Sequence, residues 1–267
     1  MTWKNYIPSL LVAVLIAGMI GWGAVTNLPP TNLQEISQTP SRAHLFGTSP
    51  DGRDLLNMSV ALAIRAVAES LWATVLTLFV GLVVGFVAAN FAGGILDRTQ
   101  AAIAKLFDSV GAFLFVACLS AIAPRIDTWK LGVFLAFVAW PAVSGVVRSE
   151  AMQLSKLTYV ESARSVGVSP LRIAVNHLMP PMLDRLGPLC FGIYVGFLAL
   201  FGAVDFIGAR ISSQQSLGFA IFESTGFLHS NVRYFLSSFG AFILLLLVSA
   251  AVAWSLKRIN SINERQG

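Results

Sequence analysis

The sequence predicts an all-α, polytopic membrane protein with six transmembrane helices, both termini cytoplasmic, and a helical cytoplasmic insertion between spans four and five. Three observations carry this expectation. The 267 residues are 56% hydrophobic and only 12% charged. That is roughly half the charged share of an ordinary soluble domain, too little to clothe a water-soluble globule. Charge-free runs recur at lengths near the roughly 20 apolar residues that a helix needs to cross hydrocarbon. Finally, Lys and Arg fall unevenly on the two sides that those runs define.

The spans are expected at about residues 6–25, 70–92, 106–124, 131–147, 186–204 and 235–256 of a single transmembrane domain covering 1–267. The first lies between Lys4 and Glu35 and is stopped by Pro29-Pro30. It has the look of a secretory signal, but no small-x-small site follows it directly and Lys4 alone forms its charged end, so a retained span is expected. The second lies between Glu69 and Asp97. The third (Asp108 to Arg125) and fourth (Lys130 to Arg148) are short and need their flanks to reach full length. The fifth runs between Arg185 and Asp205 and the sixth between Arg233 and Lys257.

With the N-terminus inside, eleven basic residues fall on the cytoplasmic side: Lys4, Arg98, Lys105, Arg148, Lys156, Arg164, Arg172, Arg185, Lys257, Arg258 and Arg265. Seven fall outside: Arg42, Arg53, Arg65, Arg125, Lys130, Arg210 and Arg233. This is the positive-inside bias, and an even number of spans returns the C-terminus to the same side. The formal charge of +5 is therefore a topology signal. No basic cluster suited to nucleic acid exists. Cys118 and Cys190 sit in apolar stretches and exclude a disulfide framework, and His44, His177 and His229 are too scattered for a metal cluster. No Gly-Lys pair occurs, so the phosphate-cradling G-x-x-x-x-G-K-[ST] loop is missing. No nucleophile–base pair stands at membrane depth, which argues against an enzyme.

Two outer loops, 27–65 and 206–234, and one long cytoplasmic loop, 148–185, connect the spans. A loop of that length has structure or function of its own. It reads as two helices. The first runs from about Met152 to Val166 and is closed by Gly167, since glycine accepts the left-handed conformation at a helix end. The second starts at Ser169-Pro170, an N-cap followed by a proline at the first helical position. Val168, Leu171, Val175 and Leu178 share one of its faces, and Pro180-Pro181 stops it. The small residues Ser162, Ala163 and Ser165 would let another protein approach closely. A helix pair lying on lipid headgroups explains the same pattern.

The segment Glu161-Ser162-Ala163-Arg164-Ser165-Val166-Gly167, then nine residues and His177-Leu178-Met179-Pro180, resembles the EAA motif of ABC-importer permeases. That motif reads E-A-A, three residues, G, nine residues, I-x-L-P. Ser162 stands for the middle alanine, Met179 for the leucine and His177 for the isoleucine. His177 and Tyr159-Val160 resemble the dipeptide/oligopeptide/nickel branch. His44-Leu45-Phe46-Gly47-Thr48-Ser49-Pro50-Asp51-Gly52-Arg53-Asp54-Leu55-Leu56 is similar to that branch's H-x-L-G-T-D-x-x-G-R-D-x-L segment, with Ser49 for the aspartate, and Ala92-Gly93-Gly94-Ile95-Leu96-Asp97 to its F-G-G-x-x-D turn. Residues 206–234 depart from the branch pattern.

The resemblance implies a permease subunit of an ATP-driven importer, for peptides first and otherwise for nickel or a metal chelate. It implies a homologous permease subunit, two cytoplasmic ATPase subunits and an extracytoplasmic solute-binding protein as partners, in the lipid bilayer of the bacterial inner membrane. ATP and Mg would be bound by the partners, with no cofactor in this chain. Tyr159, Glu161, Ser162, Ala163, Arg164, Gly167 and Pro180 would couple it to the ATPases, and Gly47, Thr48, Gly52, Arg53 and Asp54 form the outer-loop motif. The competing reading is a non-transporting membrane scaffold that recruits a cytoplasmic partner.

Other residues keep two readings. Asp108 is a pathway candidate because ionisable groups in spans are functional by default, or an interfacial neighbour of Lys105. Arg65 and Glu69 read as an i,i+4 pair on an interfacial helix, or as substrate-facing. Arg53 and Asp54 pin the outer loop or touch the binding protein. Asp205 and Glu223 are solvated or meet that protein. Gly81 and Gly85 form a G-x-x-x-G suited to close helix approach, within the chain or between subunits. Thr74, Thr77, Asn90, Ser120 and Ser144 are the few polar residues of the spans.

Overall fold

The computed structural model describes residues 28–111, 114, 115, 118, 128–173, 176, 178–206 and 215–266. The first expected span, and most of the third with Ser120, lie outside them.

Helix α1 spans Leu55–Asn90. At about 1.5 Å per residue its 36 residues extend about 54 Å, well beyond a hydrocarbon layer of roughly 30 Å. Asp54 starts it: the carboxylate accepts the Asn57 N–H at 2.8 Å, satisfying one of the orphan donors of the first turn. The helix therefore begins inside the stretch 27–65 expected as outer loop. The reason is tertiary, because Leu55, Met58 and Leu62 are buried against elements from the other end of the chain.

A turn through Gly93, with φ of 80°, leads to α2, Ile95–Val110. Gly111, with φ of 75°, closes α2, so the helix ends within the stretch expected to be the third span. Helix α3, Thr128–Leu154, carries Pro141 in its interior. The chain then turns through Ser155–Leu157 into α4, Thr158–Ser165, and the four-residue α5, Pro170–Ile173. Helix α6 is Met179–Phe206, α7 is Leu217–Thr225 and α8 is Val232–Gln266.

The insertion 148–185 differs from expectation at two places. Met152 to Leu154 belong to α3, so the loop helix is shorter than 152–166. Pro180-Pro181 lie in the first turn of α6 rather than terminating what precedes it, because a proline's missing N–H has no intrahelical acceptor to lose there.

Four stretches are long and apolar enough to cross a membrane: Leu55–Asn90, Gly132–Leu154, Leu186–Phe206 and Val232–Val252. They match the second, fourth, fifth and sixth expected spans. Among the described residues every element is helical apart from an isolated bridge between Thr48 and Asp54.

The tightest seam lies between α1 and α3. A Cβ on Gly81 would sit 2.4 Å from Val143 Cβ, and one on Gly85 would sit 2.7 Å from Val147 Cβ. The G-x-x-x-G thus serves approach within the chain. Ala73, Leu135, Phe197, Phe201 and Val204 join α1, α3 and α6 nearby. At the other end Leu217 and Ala220 of α7 and Tyr234 of α8 close over Leu55, Met58 and Leu62.

Candidate functional site

The first group of candidates surrounds α4. Its Val160 is fully buried in one apolar cluster with Leu78 of α1, Val143, Val147, Ala151 and Leu154 of α3, and Met182 and Leu186 of α6. Ala163 and Val168 pack against the same cluster. The opposite face is open: Tyr159 is 46% exposed, and Glu161, Ser162, Ser165 and Leu157 are exposed as well. The hydroxyls of Ser162 and Ser165 donate to the carbonyls of Thr158 and Ser162, so they add no unsatisfied donors to that surface.

Gly167 ends α4 as expected, with φ of 81°. The N–H of Val168 donates to the Ala163 carbonyl at 3.1 Å, and that of Val166 to the Ser162 carbonyl at 3.3 Å. The six-residue bond closed through a left-handed glycine is a Schellman termination, and the apolar contact that accompanies it is made by Ala163 and Val168. The Ser169 carbonyl accepts the Ile173 N–H at 3.0 Å, beginning α5. The backbones of Arg164 and Pro180 belong to α4 and α6; their side chains lie outside the described residues.

The second group is knotted at the N-terminal end of α1. Gly47 and Gly52 have φ of 80° and 74°, and an added Cβ would lie 2.4 Å from the Gln38 carbonyl oxygen and 1.8 Å from that of Asn32. Thr48 is fully buried. Its hydroxyl donates to the Glu35 carbonyl and accepts the Gln38 N–H, and its own carbonyl accepts from Asn231 Nδ2 at 2.9 Å. Arg53 donates to Gln215 Oε1 at 3.3 Å and Arg65 to the Gln215 carbonyl at 2.9 Å. Arg53 and Arg65 thus hold Gln215 before α7, and Thr48 holds Asn231 before α8. Arg65 and Glu69 are both buried. Asp205 is buried too, and Glu223 accepts a hydrogen bond from Tyr234 Oη at 2.9 Å.

Two constellations were not foreseen. His44 places Nδ1 2.8 Å from Asp54 Oδ2 and Nε2 3.3 Å from Glu35 Oε2. The hydrogen bond to Asp54 holds the His44 pKa above its ordinary value, with Glu35 adding to the effect and partial desolvation opposing it. Beyond the membrane-crossing part of α1, Arg148 of α3 donates through Nε to Asp97 Oδ1 at 2.5 Å and through a second nitrogen to Oδ2 at 2.7 Å. Asp97 also accepts the Gly93 N–H at 2.9 Å. The Arg148 hydrogen bond, helped by Gly93, keeps its carboxyl below the usual aspartate range. The signal for this pair was present, since Asp97 closes the G-G-x-x-D turn and Arg148 begins the long loop.

Asp108 lies on α2, and its side chain is outside the described residues. The polar residues of the spans are spent internally. Thr74 and Thr77 donate to carbonyls four residues back, Asn90 does likewise, and Ser144 bonds Gln100 and the Pro141 carbonyl. Among the described residues no group of three metal-ligating side chains assembles.

The fold and these sites define a multi-pass helical membrane protein with a small, rigidly seated loop helix presented beyond its spans. Residues 81–261 match the family described as binding-protein-dependent transport system inner membrane component, and the chain belongs to that family. The match covers the α4 segment that carries the EAA-like motif. A relative described as a peptide transport system permease protein of Brucella suis is 30% identical over 183 residues, covering 66% of this chain and 59% of that protein. The oligopeptide transport system permease protein OppC of Bacillus subtilis is 27% identical over 156 residues, 58% of this chain and 50% of that protein. This chain therefore spans less than two thirds of the length of these curated relatives. OppC of Mycobacterium tuberculosis is 28% identical over 254 residues, 90% of this chain and 85% of that protein. The membrane permease fold is also seen in a solved structure of the MetNI methionine ABC transporter in inward-facing conformations. That likeness has a TM-score of 0.53 at 20% identity, over 75% of this chain and 95% of the other.

Proposed function

We propose that the chain is a permease subunit of an ATP-driven importer, that it forms a translocation pathway with a homologous permease, and that peptides are its cargo. It would sit in the bacterial inner membrane with six spans and both termini cytoplasmic. Two cytoplasmic ATPases would dock on α4, and an extracytoplasmic solute-binding protein would deliver cargo at the opposite face. The observation that carries this reading is the two-sidedness of α4: Val160 and Ala163 are locked into a core shared by α1, α3 and α6, while Tyr159, Glu161 and Ser162 face outward.

Such a helix does what a docking lever must. A partner that grips the open face cannot move α4 without moving the three helices that share its core, because close-packed interiors transmit strain. The sequence has no phosphate-binding loop of its own, so nucleotide and Mg would be held by the partners. Closure of the ATPases would then bias the membrane helices between two arrangements through their differential contact with α4. Names of the relatives support peptides as cargo.

Co-purification with candidate ATPase subunits, followed by ATPase measurement in lipid with a binding protein loaded with defined peptides, tests the reading. Peptide-dependent stimulation is the expected result. A complex that never assembles with an ATPase would sink it and favour a membrane scaffold.

A further inference from the structure

Helix α2 meets α3 through polar contacts at its N-terminal half and, further along, through an edge-on ring contact between Phe107 and Phe137, with centroids 5.9 Å apart. Asp97 and Gln100 are buried against α3, whereas Ile95, Ile103 and Leu106 are exposed. The polar contacts form two rungs. Arg148 makes its two hydrogen bonds to Asp97, and Gln100 Nε2 donates to Ser144 Oγ at 2.8 Å. The rungs are three residues apart on α2 and four apart on α3, the spacing at which side chains share a helical face. They differ in quality. Gln100 Oε1 is buried without a hydrogen-bond partner, so this rung is half satisfied. The Asp97 rung is bidentate and further anchored by the Gly93 N–H.

Arg148 also has a special address. It lies on the continuous stretch of α3 that runs on to Ala151 and Leu154, which share one core with Val160 of α4. On the other side, α2 leads towards the stretch expected to be the third span.

We propose that the Asp97–Arg148 pair is a positioning pair that fixes α2 to the body carrying α4, so that α2 follows every displacement imposed on α4. This rests on the reading of α4 as the ATPase-docking helix. A planar guanidinium held by both carboxylate oxygens resists rotation as well as separation, which a single point contact does not. Without it, α2 would keep the half-satisfied Gln100 rung and the edge-on Phe107–Phe137 contact, neither of which fixes its rotation, and would lag behind.

The test uses the complex assembled with its ATPases in nanodiscs, with Cys118→Ala and Cys190→Ala removing the native thiols. Spin labels go on exposed sites: Lys156→Cys beside α4, Lys105→Cys on α2 and Leu244→Cys on α8 as reference. Distances are compared without nucleotide and with ATP plus vanadate. In the native background both the 156–244 and the 105–244 distances should change together. In Asp97→Asn and in Arg148→Lys only the 156–244 distance should change, and the exchange Asp97→Arg with Arg148→Asp should restore the joint response. If the label on α2 follows that on α4 in the single variants too, or fails to follow in the native background, the pair is not the link. A 156–244 distance that ignores nucleotide in the native background would instead overturn the docking role of α4, and this proposal with it.

Discussion

His44 and Asp54 are joined at 2.8 Å, and the second oxygen of the same carboxylate caps α1 through the Asn57 N–H at 2.8 Å. One aspartate thus both starts a membrane helix and holds a histidine whose other nitrogen faces Glu35 at 3.3 Å. Only the doubly protonated ring can donate to both carboxylates.

This geometry sets a pH dependence. The folded pKa of His44 lies above the unfolded value. Its contribution is therefore complete below about pH 6.5 and is lost as pH rises through the raised pKa. The hydrogen-exchange protection of residues 35–54 in detergent, taken relative to the intrinsic rate at each pH, should fall over that range, and His44→Gln should flatten the profile. An unchanged pH profile in the variant would show that the histidine is not responsible.

Gly81→Leu should destabilise the protein by about 1–3 kcal/mol, the usual cost of overpacking, because its Cβ would already lie 2.4 Å from Val143 Cβ. Thermal unfolding in detergent measures it. The double variant with Val143→Ala should recover part of the loss; no recovery would place the strain elsewhere.

Gly52 and Gly167 share a left-handed backbone but differ in surroundings. An added Cβ at Gly52 meets the Asn32 carbonyl oxygen at 1.8 Å, whereas at Gly167 it meets nothing within 4 Å. Gly52→Ala should abolish accumulation of folded protein. Gly167→Ala should cost only the left-handed penalty of about 1–2 kcal/mol. Gly167→Val, which bends the exit from α4, should leave the complex assembled while ATP hydrolysis proceeds without uptake; normal uptake would count against a fixed α4 geometry.

Val160→Ala removes part of a side chain with no exposure. Full burial of a valine is worth about 1.5–3 kcal/mol, and most of that loss should appear as loosening of α4 against the core. Limited trypsin cleavage at Lys156 and Arg164 should accelerate before the membrane helices melt. Simultaneous loss of both would show that α4 has no separate anchorage.

The helical class and four of the spans were legible because long charge-free runs have few alternatives. Gly167 was legible because the Schellman termination is a local event. What sequence could not give was long-range. The start of α1 at Leu55 depends on α7 and α8 covering it, and no local signal reports that burial. Pro180-Pro181 were misplaced because a proline pair suits the end of one helix and the beginning of the next equally well. The four-residue spacing of Arg65 and Glu69 is visible in the sequence, but their burial is not. The polar residues of the spans were visible in the sequence, but not that Thr74 and Thr77 bond to their own helix.

The glycine seam between α1 and α3 has a kinematic consequence. Each valine opposite sits where a methyl group would already collide, so sliding one helix along the other would drive Val143 and Val147 into the bulkier residues on either side of Gly81 and Gly85. These two helices must translate and rotate as a single plank. Relative motion among the described helices must therefore be taken up along other seams.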